Sequence, residues 1–136
     1  MVRLMVAGDA RFDVSDTEIR RGGLSYTVET LETLKQQNPA AKLILILGMD
    51  ALAGFDRWKN PERIRELADI AVLSRTGDHG LDEKLGGGVT VVGTRRIDVS
   101  SSEIRQRLAE GKSIRGFVAE SVERYIATAK LYKPAS

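Results

Sequence analysis

Short apolar runs alternate with amphipathic stretches along this chain. Residues 42–47 (KLILIL) form a continuous apolar run of strand length, the pattern of a strand buried on both faces, closed by Gly48. Residues 69–74 (DIAVLS) and 89–92 predict two further strands, and residues 11–15 (RFDVS) a short one. Between them the period changes to that of a helix. Residues 25–37 place Val28, Leu31 and Leu34 on one face. Residues 49–54 suit a short helix, and Asn60-Pro61 opens another, with Asn as N-cap and Pro at the first helical position. Helices are also predicted over 100–110 and 120–130, with Gly111 as the terminator between them. Residues 75–88, including Gly86-Gly87-Gly88, read as a loop. Residues 1–7 (MVRLMVA) read as the last turns of an apolar-faced helix, an unusual opening for a domain.

Strand–helix–strand alternation with apolar strands predicts an α/β fold, a parallel sheet covered by helices on both sides. In such sheets ligands bind beyond the carboxyl ends of the strands, so useful residues should follow Leu47, Ser74 and Val92. No repeat, low-complexity tract or linker interrupts the chain, which predicts one domain over residues 1–136.

Composition narrows the function classes. Hydrophobic residues make up 42% and charged residues 29% of the chain, the balance of an ordered globular domain. No apolar run approaches the roughly 20 residues that span a bilayer, and residues 1–7 are too short and weakly basic for a signal peptide. Cysteine is absent, which excludes disulfides, thiolate nucleophiles and cysteine-based zinc sites and fits a cytoplasmic protein. The net charge of +2 argues against bulk electrostatic binding of nucleic acid. Basic pairs such as Arg20-Arg21 and Arg95-Arg96 suit either solvated surface or the grip of a small anion.

The strongest chemical signal is Asp98-Val99-Ser100-Ser101-Ser102-Glu103-Ile104-Arg105. Its hydroxyls stand where a helix begins, and free backbone N–H groups and the helix dipole favour an anion there. Arg105, one turn in, adds a guanidinium suited to phosphate. Simple capping of Glu103 by Ser100 accounts for the same spacing, and the two roles are compatible. Gly48-Met49-Asp50 follows a strand: the glycine admits a close ligand, and Asp50 either accepts from ribose hydroxyls or caps the next helix. Trp58, the only tryptophan, lies in a polar stretch and either stacks on a heteroaromatic ring or packs locally. Thr27 or Ser25 is the expected N-cap of the helix over 25–37, whose N-terminus also suits a ligand carboxylate. Arg75 ends a strand, where arginine suits phosphate or solvent alike. His79 is the only histidine and has no partner pattern, so no catalytic or metal role is assigned to it.

These segments, in this order, resemble nicotinate-mononucleotide adenylyltransferases of the HIGH-type nucleotidyltransferase superfamily. The matching stretches are Asp16 to Arg21, Ser25 to Leu31, Leu47 to Leu52 with Trp58, Ala71 to Arg75, Val99 to Arg105 and Val122 to Ile126, nearly the whole chain. Ser102 stands where the family usually has threonine, and Val118-Ala119 where Val-Pro is usual. The resemblance implies a Rossmann-like parallel sheet with flanking helices and adenylyl transfer from ATP to nicotinate mononucleotide, forming the deamido dinucleotide and pyrophosphate. Carried over by position, Ser100, Ser101, Arg105 and, more weakly, Arg75 would meet ATP phosphates. Gly48 and Asp50 would line the ribose site, Trp58 would stack on the pyridine ring, and Thr27 would bind near its carboxylate. Mg²⁺ is expected from the chemistry, though no ligand set identifies it. Neither nucleic acid nor a membrane is an expected partner.

The same resemblance implies an incomplete domain. The family opens on a glycine-rich turn with a His-x-x-His-type pair and a following strand, neither of which these residues contain. Met1 then reads as an internal methionine. The chain alone is expected to have little activity and to self-associate through an uncovered sheet surface. Two alternatives remain at this stage: a non-catalytic nucleotide-binding remnant, and a pantetheine-phosphate adenylyltransferase-like protein.

Overall fold

A computed structural model describes residues 1–75, 89–94 and 98–132, with the Arg75 side chain outside that set. Among the described residues lie seven α-helices and three strands. They run α1 (Val2–Val6), α2 (Thr17–Arg21), α3 (Thr27–Gln37), β1 (Ile44–Gly48), α4 (Met49–Ala53), a 3₁₀ turn (Phe55–Arg57), α5 (Pro61–Leu67), β2 (Asp69–Arg75), β3 (Val89–Thr94), α6 (Ser101–Ala109) and α7 (Glu120–Thr128). The chain clusters into two compact units, one of Met1–Ser15 with Ile97–Ser136, the other of Asp16–Arg96.

The second unit holds the sheet, all parallel, in the order β1-β2-β3. Its register pairs Gly48 with Leu73 and Arg75 with Thr94, so the carboxyl ends of the strands align. One face is packed. Leu47, Ile70 and Val72 are buried there with Val28 and Leu31 of α3, Phe55, Ile64 of α5 and Ala68. Each large apolar side chain fully buried here contributes roughly 1.5–3 kcal/mol. The opposite face is open: Ile44 is 58% exposed and Ile46 63%, with Leu73 and Val92 also exposed. This corrects the expectation for residues 42–47. A continuous apolar run does not distinguish a strand buried twice from one buried once, and the alternating burial of β1 shows the second case.

Two other local expectations change, and one helix appears that none covered. Residues 11–15 form no strand. Asp9 accepts from the Arg11 backbone N–H (3.0 Å) and Asp13 from that of Val14 (2.7 Å), so carboxylates take up donors a ladder would use. Tyr26, neither Ser25 nor Thr27, occupies the N-cap of α3, which begins two residues later than expected. Helix α2 was not anticipated, because five residues are too few to show a period.

In the first unit, Ile114, Val122 and Ile126 form a small core lined by Ile104, Leu108, Val118 and Leu131. Gly111 ends α6 as expected, at φ +68°. The Lys112 N–H bonds Arg107 O (2.8 Å) and the Gly111 N–H bonds Leu108 O (3.1 Å), the paired bonds of a Schellman ending. Only glycine adopts that left-handed conformation without strain. The 75–88 loop, Gly86-Gly87-Gly88, His79 and Arg95-Arg96 lie outside the described residues, apart from the backbone of Arg75.

Candidate functional site

Parallel pairing brings Gly48 and Arg75 to the same carboxyl edge of the sheet, since Gly48 pairs with Leu73 two residues before Arg75. Gly48 is the N-cap of α4, and Asp50 lies exposed in that helix's first turn instead of capping it. With φ −82° and ψ 162°, Gly48 has a backbone any residue tolerates. A Cβ there would meet nothing within 4 Å. Neither backbone conformation nor crowding among the described residues therefore requires glycine at this point.

Trp58 follows the 3₁₀ turn and is half-buried. Its ring lies 5.4 Å from that of Phe55 at 45°, and it packs against the core below. Local packing thus holds the ring, and the residue as a whole is only partly buried. The next residue, Lys59, reaches to α3. Its Nζ sits 4.1 Å over the Tyr26 ring and donates to Glu29 Oε1 at 2.6 Å. Through these neighbours the structure ties the Trp58 turn to the start of α3, where Thr27 is the first helical residue. No side chain among the described residues caps that helix. An uncapped N-terminus presents N–H donors and a favourable dipole to an anion.

Glu29 is the junction of this region, and Arg21 at the end of α2 donates to its other oxygen at 3.3 Å. Hydrogen bonding from Lys59, with the charges of Lys59 and Arg21, holds the Glu29 carboxyl below the ordinary carboxylate range. The Glu29 carboxylate in turn lifts Lys59 above the ordinary lysine value. A depressed carboxylate contributes stability above its ordinary pKa and loses it as pH falls through the depressed value. A raised lysine contributes below its ordinary pKa and loses it as pH rises through the raised value. The pair is therefore intact across the neutral range. Lys59, Glu29 and Tyr26 were not singled out by sequence, and Arg21 stood out only as half of a basic pair suited to solvent or a small anion, whereas it bonds Glu29. A contact across thirty residues leaves no spacing signal, and Lys59 reads as one charge in a polar stretch.

The serine segment belongs to the first unit. Ser100 is the N-cap of α6, and its Oγ accepts from the Glu103 N–H at 3.1 Å. Ser101 opens the helix, and Arg105 Nη2 donates to Ser102 Oγ at 3.2 Å, so the guanidinium folds back over the helix start. Capping is real here, and the exposed hydroxyl of Ser101 and guanidinium of Arg105 remain available to an anion. Ser100→Ala should cost about 1 kcal/mol of stability, with Ser100→Asp retaining most of it. Thermal denaturation of the two variants checks this, and an alanine variant as stable as the parent would remove the cap from the energetics.

Among the described residues, no group of three or more His, Asp or Glu side chains is arranged to hold a metal ion.

A cytidylyltransferase-like family model matches residues 1–107. A probable nicotinate-nucleotide adenylyltransferase of Gemmatimonas aurantiaca is 39% identical over 140 residues, which cover 98% of this chain and 66% of the relative. One from Rhodopirellula baltica is 38% identical over 144 residues, covering 98% of this chain and 67% of the relative. The chain thus spans about two thirds of the length of these curated relatives. In fold it is similar to Plasmodium falciparum nicotinic acid mononucleotide adenylyltransferase complexed with APC. That likeness has a TM-score of 0.74 at 20% identity and covers 97% of this chain and 72% of that one. It bears out the expected Rossmann-like parallel sheet with flanking helices.

Proposed function

Since the chain belongs to the nicotinate-nucleotide adenylyltransferase family, we propose that it serves adenylyl transfer from ATP to nicotinate mononucleotide, yielding the deamido dinucleotide and pyrophosphate. The observation that carries this reading is the joining of a half-buried, partly accessible Trp58 to the uncapped N-terminus of α3 through Lys59. A flat ring beside an anion-favouring helix end suits a pyridine carboxylate. In this reading Trp58 stacks on the pyridine, Thr27 binds near its carboxylate, and Gly48 with Asp50 accommodates a ribose. Ser100, Ser101 and Arg105 meet ATP phosphates, and Arg75 takes a phosphate or adenine-side contact. Mg²⁺ would accompany the nucleotide and neutralise phosphate charge. Among the described residues, no helix is long and apolar enough to cross a membrane.

One observation favours a division between binding and turnover. The 136 residues hold a single histidine, His79, so the paired histidines that the family resemblance implies are not among them. The isolated 136-residue polypeptide is expected to bind ATP and nicotinate mononucleotide in equilibrium dialysis while releasing pyrophosphate far below a normal enzymatic rate. Normal turnover would overturn the expectation of low activity, and binding of neither compound would overturn the proposal itself.

The open sheet face carries a second expectation for the same polypeptide. Ile44 and Ile46 project from β1, which has a partner strand on only one side among the described residues. Such an apolar edge favours pairing with a second copy. Ile46→Lys should shift sedimentation velocity profiles toward monomer without unfolding the chain, because that side chain is 63% exposed. Unchanged association in the variant would assign it to another surface.

A further inference from the structure

Two candidate ligand contacts, Trp58 and Thr27, are separated by thirty residues of chain. Among the described residues, no backbone hydrogen bond ties the 58–60 turn to α3. The spacing between ring and helix end therefore depends on side chains: the core shared by Val28, Leu31, Phe55 and Ile64, the Arg63–Glu32 pair at 3.3 Å, and the contacts of Lys59. Lys59 supplies the connection next to both: its ammonium rests over the Tyr26 ring at 4.1 Å and bonds Glu29 at 2.6 Å. Arg21 holds the second Glu29 oxygen at 3.3 Å, which fixes the carboxylate from its other side. Immediately after Lys59 the chain passes through Asn60 in the left-handed region, at φ 54° and ψ 62°. Asparagine tolerates that conformation better than other non-glycine residues, and the following Pro61 disfavours the right-handed helical alternative. On one side of Asn60 stands α5, and on the other stands Lys59.

We propose that Lys59 and Glu29 are positioning residues, a clamp that sets the distance between the Trp58 ring and the N-terminus of α3 and so the width of the pyridine-nucleotide site. This inference rests on the proposed function for what occupies the gap, while the clamp itself is a property of the protein without ligand. An exposed ion pair adds little to global stability. Its effect here is geometric, and a displacement of about 1 Å at a positioned group costs on the order of a hundredfold in the most demanding cases. A lysine that only solvates the surface would leave Trp58 unaffected.

Trp58 is the only tryptophan, so its emission reports on this turn alone. Acrylamide quenching and time-resolved anisotropy should be compared for the 136-residue chain and its Lys59→Met, Glu29→Gln, double and Lys59→Arg variants. Lys42→Met, which breaks the Lys42–Asp69 pair (2.8 Å) elsewhere in the unit, is the control. The two single variants are expected to raise the quenching constant about twofold with folding intact by circular dichroism. The double variant should be no worse than either single, the mark of one shared interaction. Lys59→Arg should restore the parent value, and Lys42→Met should equal it. Equal quenching in parent and Lys59→Met would overturn the clamp, as would additive effects in the double variant. Lys59→Met misfolding while Lys59→Arg and Glu29→Gln behave as the parent would overturn it too. Titration with nicotinate mononucleotide separates the two claims. If the clamp holds and the nucleotide binds, Lys59→Met should weaken its affinity about fivefold to tenfold. If quenching responds as expected and no form binds the nucleotide, the clamp stands and the functional reading falls.

Discussion

Phe55→Ala should destabilise the protein by about 3–5 kcal/mol, the usual range for removing a fully buried aromatic ring. Phe55 is 1% exposed and sits among Leu31, Leu47, Ile64 and Val72 in the core of the sheet unit. Its ring also supports Trp58 at 5.4 Å and receives the Arg65 guanidinium at 4.9 Å. The 3₁₀ turn carrying it has only three residues, so its place depends on this anchor more than on its own hydrogen bonds. Against a typical total stability of about 5–15 kcal/mol, such a loss is large. The melting temperature should fall by roughly 10–20 °C. Before global unfolding, Trp58 emission should shift to the red as the ring loses its inner neighbour. Phe55→Leu should recover much of the stability. A loss below about 1 kcal/mol for the alanine variant would mean that the core does not depend on this ring.

The second large effect is on binding. Trp58→Ala should weaken nicotinate mononucleotide about 10- to 100-fold, since stacking of a flat heteroaromatic on an aromatic side chain contributes roughly 1–3 kcal/mol. ATP affinity should change little, because the candidate phosphate residues Ser100, Ser101 and Arg105 lie on a different helix. Trp58→Phe separates stacking from local packing: it keeps a ring over Phe55 and should retain most of the affinity. Isothermal titration calorimetry measures all three forms without needing the tryptophan. Equal loss of ATP and pyridine-nucleotide affinity in Trp58→Ala would point to collapse of the fold, and unchanged affinity for both would remove Trp58 from the site.

Much of this structure was legible where physics acts over a few residues. The apolar runs at 42–47 and 69–74 became adjacent parallel strands, and Pro61, Ser100 and Gly111 marked helix boundaries as their chemistry requires. Asn60 stands at the predicted cap position, yet it serves through a left-handed backbone, with no cap bond from its side chain. Burial was less legible. Ile44 and Ile46 are as apolar as Leu45 and Leu47, so composition cannot say which pair faces the core. In RFDVS, alternation predicted a strand that local carboxylate bonds displaced. For the site, single residues such as Trp58 and the serine segment stood out by type and spacing. The network joining Lys59, Glu29, Tyr26 and Arg21 did not, because each contact is made by tertiary folding between ordinary surface residue types.

The most direct measurement is the response of Trp58 emission in the 136-residue chain to nicotinate mononucleotide, with phosphopantetheine titrated in parallel. Saturable quenching by the pyridine nucleotide and none by phosphopantetheine is the result expected of a pyridine site at Trp58. A flat response to nicotinate mononucleotide together with a saturable response to phosphopantetheine would contradict it.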